Sequence, residues 1–160
     1  MSPTNSKFEL AERLCFHGEY SWRLKDGELR YRGTDYFKDL IVGRIPASNQ
    51  QVEKFVVALQ LLDVWNWRTD YNPNDIGHEV LDGGVWFFNI EIDGRSHKAA
   101  GVNAYPSYAD PRKTSTDQER FRLLCAALYD CFYIDGAIQS AQRQAEIAKQ
   151  IQTQPNLNSQ

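Results

Sequence analysis

Asp75, His78, Glu79 and Asp82 fall within one short stretch, "DIGHEVLD", the strongest cluster of ionisable groups in the chain. Carboxylates and an imidazole are the donors a divalent cation takes up, and a histidine beside carboxylates can move protons. The spacing argues against both uses. "HEVLD" lacks the second histidine of a zinc-binding HExxH helix, and His17 and His97 lie far away in sequence. Asp, Asn and Gly also favour turns for local backbone reasons, so the stretch reads first as a solvated loop with no metal. A hydrolase or metal-dependent enzyme would need Asp75, His78, Glu79 and Asp82 to converge on a cleft at the 71–82 loop.

Other catalytic patterns are missing. There is no G-x-S-x-G elbow, no C-x-x-C pair and no glycine-rich phosphate loop, and the histidines stand without a partner at catalytic spacing. Cys15, Cys125 and Cys131 are odd in number and make no disulfide framework. Cys125 and Cys131 sit among apolar residues, which reads as inert, reduced core thiols. The expectation is no catalytic residue, no cofactor and a function other than catalysis.

Two further groups of side chains can make contacts. Arg23, Lys25, Arg30 and Arg32 share one phase of an alternating pattern and would form a basic face, a route to phosphates or an acidic partner. The same residues on an outward strand face also keep a sheet soluble. Trp65, Trp67, Tyr71, Trp86, Asn103 and Tyr105 all lie where elements are expected to end. Converging there, they could plug the core or form an aromatic-rimmed binding surface. The second is the candidate surface, with a protein partner or a second copy of the chain as its occupant.

The bulk composition frames these groups. At 160 residues with 42% hydrophobic and 24% charged residues, the chain reads as one folded α+β domain over residues 1–152 with a tail at 153–160. A net charge of −3 disfavours bulk attraction to nucleic acid. No apolar run approaches a membrane span, and "MSPTNSKFELAERL" lacks a basic segment followed by an apolar core, so a cytoplasmic location without membrane attachment is expected.

The positioning elements follow from periodicity. Tyr20, Trp22 and Leu24 alternate with polar residues before Asp26-Gly27, and Leu29 and Tyr31 alternate after it: a β-hairpin. Residues 34 to 47 stay open between a turn of helix and an irregular strand. Ser48 and Gln51 form a capping box ahead of Val52, Phe55, Val56, Leu59 and Leu62, a helical stripe that Val57, Ala58 and Leu61 widen. Trp86, Phe88, Ile90 and Ile92 alternate with Phe87, Asn89 and Glu91; Asp93-Gly94 turns the chain into a return strand ending at Asn103. Ala99, Ala100 and Gly101 leave room there for something bulky. Tyr105-Pro106 then stops the strand, because proline has no donor and holds its predecessor extended. Thr116 and Glu119 suggest a second capping box, Asp135-Gly136 a helix break, and residues 137 to 152 an Ala/Gln-rich helix with a thin apolar seam. The sum is a four-stranded antiparallel sheet from two hairpins, packed on one face by two helices, plus a C-terminal helix.

The succession "WNW", "DGGVWFFNIEIDG" and "GVNAYP" followed by a helix, over roughly residues 48 to 132, resembles a family of small bacterial domains with a D-G-x-x-W strand and a G-x-N-A-Y-P-like strand ending. The resemblance implies a shared α+β fold and brings no activity with it. The Ala/Gln-rich C-terminal helix departs from that pattern.

Overall fold

The computed structural model describes residues 6–14, 18–35, 38–80 and 83–153. The α+β class holds, but the sheet is larger than the hairpins alone imply. Its strands are β1 (Lys7–Leu14), β2 (Gly18–Lys25), β3 (Glu28–Asp35), β4 (Lys38–Pro46), β5 (Asp70–Tyr71), β6 (Val85–Ile92) and β7 (Arg95–Val102). They form a seven-stranded sheet in the order β4-β3-β2-β1-β6-β7-β5. Every neighbouring pair is antiparallel except β5 and β7, so the sheet is mixed.

Both hairpins form at their Asp-Gly turns. Asp26 and Gly27 have φ of 53° and 74°, and Asp93 and Gly94 have 52° and 73°. Two successive left-handed residues match the twist of the flanking strands. The strand that joins the hairpins is β1. It lies between β2 and β6, with Phe8 opposite Leu24 and Ile90, and Leu10 opposite Trp22 and Phe88. Strand β4 extends the sheet on the far side of β3, which settles the irregular stretch before Ser48 as strand.

One face of the sheet carries the core. Phe8, Leu10, Trp22, Leu24, Leu29, Trp86, Phe88 and Ile90 point to that face and are buried. Each fully buried large apolar side chain contributes roughly 1.5–3 kcal/mol. Helix α1 (Asn49–Leu61) covers them with Val52, Phe55 and Leu59, and Ser48 and Gln51 close the expected capping box. Val57 and Leu61 face solvent instead of widening the stripe. They lie about 200° and 240° around the helix from Phe55, so they cannot share its buried side.

Helix α2 (Glu119–Phe132) buries Phe121, Leu124, Leu128 and Phe132 against the same core. Its start differs from the expected Thr116 cap: Gln118 is the capping residue, and Asp117 Oδ1 accepts from Glu119 N at 2.9 Å. The break after it also differs. Tyr133 adopts φ 54°, and Asp135 and Gly136 already belong to the first turn of α3 (Ile134–Thr153). Only Ile134 of α3 is buried, and its later turns are exposed through Ile147 and Ile151. A short ribbon of β8 (Tyr105–Pro106) and β9 (Thr114–Ser115) sits beside the main sheet. Residues 154–160, most of the expected tail, lie outside the described residues, as do Cys15 and His17. Among the described residues no helix is long and apolar enough to cross a membrane.

Candidate functional site

The aromatic residues at the element ends do converge, but inward. Trp67, Tyr71, Trp86 and Tyr105 are 3%, 0%, 1% and 3% exposed. Trp86 is the hub: its ring centroid lies 6.2 Å from Trp67, 5.8 Å from Tyr71, 6.0 Å from a nearly parallel Tyr105 and 4.8 Å from Phe121. The polar tips of Trp67, Tyr71 and Trp86 are used internally. Trp86 Nε1 donates to Ala104 O at 2.9 Å and Trp67 Nε1 to Leu62 O at 3.1 Å, while Tyr71 Oη donates to Pro111 O and accepts from Arg68 N. Strand and helix ends leave carbonyls unpaired, and amphipathic aromatics satisfy them while filling the core.

The room expected along β7 is filled by this cluster. Trp86 lies directly across from Gly101, where a Cβ would run into its indole nitrogen and Ala104 O. Asn103 takes φ 48° and its Oδ1 accepts from Gly84 N at 2.7 Å, so the strand ends on an amide that caps the neighbouring chain. Trp65 is half-buried beneath the Arg95 guanidinium, 4.2 Å from the ring centroid. Of these six residues, four are buried in a plug at the sheet's end and two, Trp65 and Asn103, are partly exposed.

Of the acidic loop, the described Asp75 is engaged by other partners. Asp75 Oδ2 accepts from Arg68 Nη1 and Thr114 Oγ1, each at 2.8 Å, and Arg68 Nη1 also reaches Thr114 Oγ1 at 2.9 Å. The Thr114 hydrogen bond, then Arg68, holds the Asp75 carboxyl below the usual carboxylate range. His78 and Glu79 are exposed, and Asp82 lies outside the described residues. Among the described residues no three His, Cys, Asp or Glu side chains are placed to hold a metal ion.

A different buried group emerges. Glu12, 1% exposed on β1, receives both Arg122 terminal nitrogens, Nη1 at 2.9 Å and Nη2 at 2.7 Å. Tyr20 Oη donates to the same carboxylate and lies 3.9 Å from Cys125 Sγ. Burial pushes the Cys125 thiol up to about 11 and raises Tyr20 strongly. A neutral thiol and a fully bonded carboxylate hold no nucleophile at neutral pH. The cluster ties α2 to the sheet. Its sequence signal was Glu12 in phase with Phe8 and Leu10, visible once 7–14 is taken as a strand.

Among the described residues, α1 and α2 bury their apolar sides against the core, and the strand residues of the other face are exposed or half-buried. Arg23, Lys25, Arg30 and Arg32 all project there, but the first three have carboxylate neighbours: Glu9 at 2.9 Å, Asp26 at 4.0 Å and Glu28 at 3.3 Å. Arg32 has no ion-pair or hydrogen-bond partner among the described residues. Beside it a cleft of about 320 Å³ is lined by Ala11, Ser21, Thr34, Val85 and Phe87, with Arg13 and Glu19 paired at 3.1 Å at one end. Phe87, Val85 and Val102 are exposed large apolar residues on this face. Sequence reading passed over Phe87, although its signal was plain: an aromatic in the polar phase of an alternating strand. A neighbouring cleft of about 340 Å³ is lined mainly by charges that pair among themselves, Lys7 with Glu91 and Arg23 with Glu9.

No protein-family model matches the chain, and no curated protein matches it. The site is therefore defined by its geometry.

Proposed function

We propose that the chain acts by binding, without catalysis, and that its working surface is the uncovered face of the seven-stranded sheet. The observation that carries this reading is the cleft in which Arg32, without a partner among the described residues, faces the exposed Phe87 across small residues. Concave surfaces with apolar walls and a few placed polar groups are where ligands dock. The enzyme alternative at the 71–82 loop draws no support from Asp75, whose carboxylate is already engaged by Arg68 and Thr114. Nucleic-acid binding through the basic face is weakened by the ion pairs that offset Arg23 and Arg30. The test is amide NMR on labelled protein with a mixed set of small acids, bases and neutral aromatics. Shifts clustered on β1, β2 and β6 are expected; shifts clustered at the 71–82 loop, or none at all, would overturn the reading.

A second reading concerns self-association. Ile147 and Ile151 are 50% and 68% exposed on the far turns of α3, on a helix too thinly seamed to be stabilised by this chain alone. Sedimentation equilibrium tests it: a dimer lost on Ile147→Ser with Ile151→Ser supports it, and a monomer at every concentration rejects it.

A further inference from the structure

We infer that the open-face cleft takes a small carboxylic acid bearing an aromatic or branched apolar group, the carboxylate at Arg32 and the apolar part on Phe87. This inference rests on the binding role proposed for that face. Consecutive strands place Arg32 opposite Ser21, Ser21 opposite Ala11, and Ala11 opposite Phe87. The row thus runs cation, hydroxyl, methyl, phenyl. Three strand spacings of about 4.8 Å separate Arg32 and Phe87 Cα atoms by roughly 14 Å, which leaves a bed of one aryl–alkyl acid's length between the side chains.

The chemistry of the two ends differs and fixes the orientation. At one end, Arg32 is an exposed guanidinium without a partner among the described residues, beside the Ser21 and Thr34 hydroxyls. Thr34 Oγ1 has only a long hydrogen bond to Glu19 O, at 3.4 Å. A guanidinium offers parallel donors that match a carboxylate. At the other end, Phe87 and Val85 are 40% and 44% exposed and offer only apolar surface. Glu19 lines the cleft as well, and its charge would repel an anion were it not held by Arg13 at 3.1 Å. A cationic ligand is disfavoured at the Arg32 end, and a doubly charged one would have to place its second charge on Phe87. The cleft volume of about 320 Å³ suits a molecule of modest size.

The experiment is titration of the labelled protein with phenylpropanoate, its neutral amide phenylpropanamide, and a short peptide ending in phenylalanine with a free C-terminus. Phenylpropanoate is expected to shift amides around Ser21, Arg32 and Phe87, and to bind about tenfold more tightly than the amide. Arg32→Gln should erase that preference, Phe87→Ser should weaken acid and amide alike, and Arg23→Gln, paired with Glu9 outside the cleft, should change neither. Circular dichroism establishes that each variant is folded. Equal affinity for acid and amide at this face would overturn the carboxylate inference while leaving the binding role standing. Shifts at another face, or no binding by any probe, would overturn both. Tighter binding of the peptide than of the free acid would also overturn the small-acid assignment, giving the cleft to a chain terminus.

Discussion

Glu12 shows how a single buried charge is made tolerable. Its carboxylate accepts from two Arg122 nitrogens and from Tyr20, so the desolvation cost of burying it is offset by charge-assisted hydrogen bonds. Removing only Arg122 leaves an unpaired buried anion. Arg122→Leu should therefore lower unfolding stability by about 3 kcal/mol, the low end for such pairs because the Arg122 side chain is 40% exposed. Glu12→Leu with Arg122→Leu should recover most of that loss; urea denaturation of the two variants measures the difference. Beside them, Cys125 is partly buried, and desolvation raises its thiol to about 11. At pH 8 almost none of it is thiolate, so iodoacetamide followed by peptide mass spectrometry should leave Cys125 unmodified in native protein and modified once the chain unfolds. Fast labelling of native Cys125 would contradict the buried cluster.

At the scale of elements, what the chain reveals locally and what it conceals separate cleanly. The two Asp-Gly hairpins and the Ser48 capping box are fixed by neighbours in sequence, and each was legible. Strand β1 was not, because its inward phase ends on Glu12, a residue that looks solvent-facing until Arg122, 110 positions later, is brought against it. The aromatic plug was legible as a convergence and concealed as a burial: nothing in the spacing of Trp67, Tyr71, Trp86 and Tyr105 says whether they meet inside or outside. Strand β7 carries a measurable consequence of its inward phase. Burial holds the His97 imidazole below its ordinary 6.5, against the opposing effect of a hydrogen bond that the ring donates to the Trp67 backbone. The unfolded chain then takes up the proton first as pH falls, so stability present above about 6.5 should decline below it. Thermal unfolding followed from pH 7.5 to 5 should show this decline, and His97→Gln should flatten it. Helix α3 makes the opposite case, since its turns beyond Ala141 are exposed. Hydrogen exchange should find those amides weakly protected while α2 exchanges slowly, unless a second copy covers them.

Across the whole molecule the two faces of one sheet divide the work. The helical side holds the buried aromatics, the bonded Glu12–Arg122 pair and Cys125, with Trp86 bonded to Ala104 O and the Trp22 indole nitrogen buried without a hydrogen-bond partner among the described residues. The open side holds charges paired across or along strands, with Arg32 and Phe87 on either side of a cleft. Sheets of antiparallel strands can leave one face in water, and that face is ordinarily polar. An exposed phenylalanine, two exposed valines and an arginine without a partner among the described residues are the departure from which the proposed binding role is argued. The most direct measurement is a crystal structure of the protein soaked with a mixture of small aromatic acids, bases and neutral compounds. The account predicts an aromatic acid between Arg32 and Phe87 with its carboxylate against the guanidinium. A ligand seated in the 71–82 loop or on the helical side, with the open face bare, would contradict it.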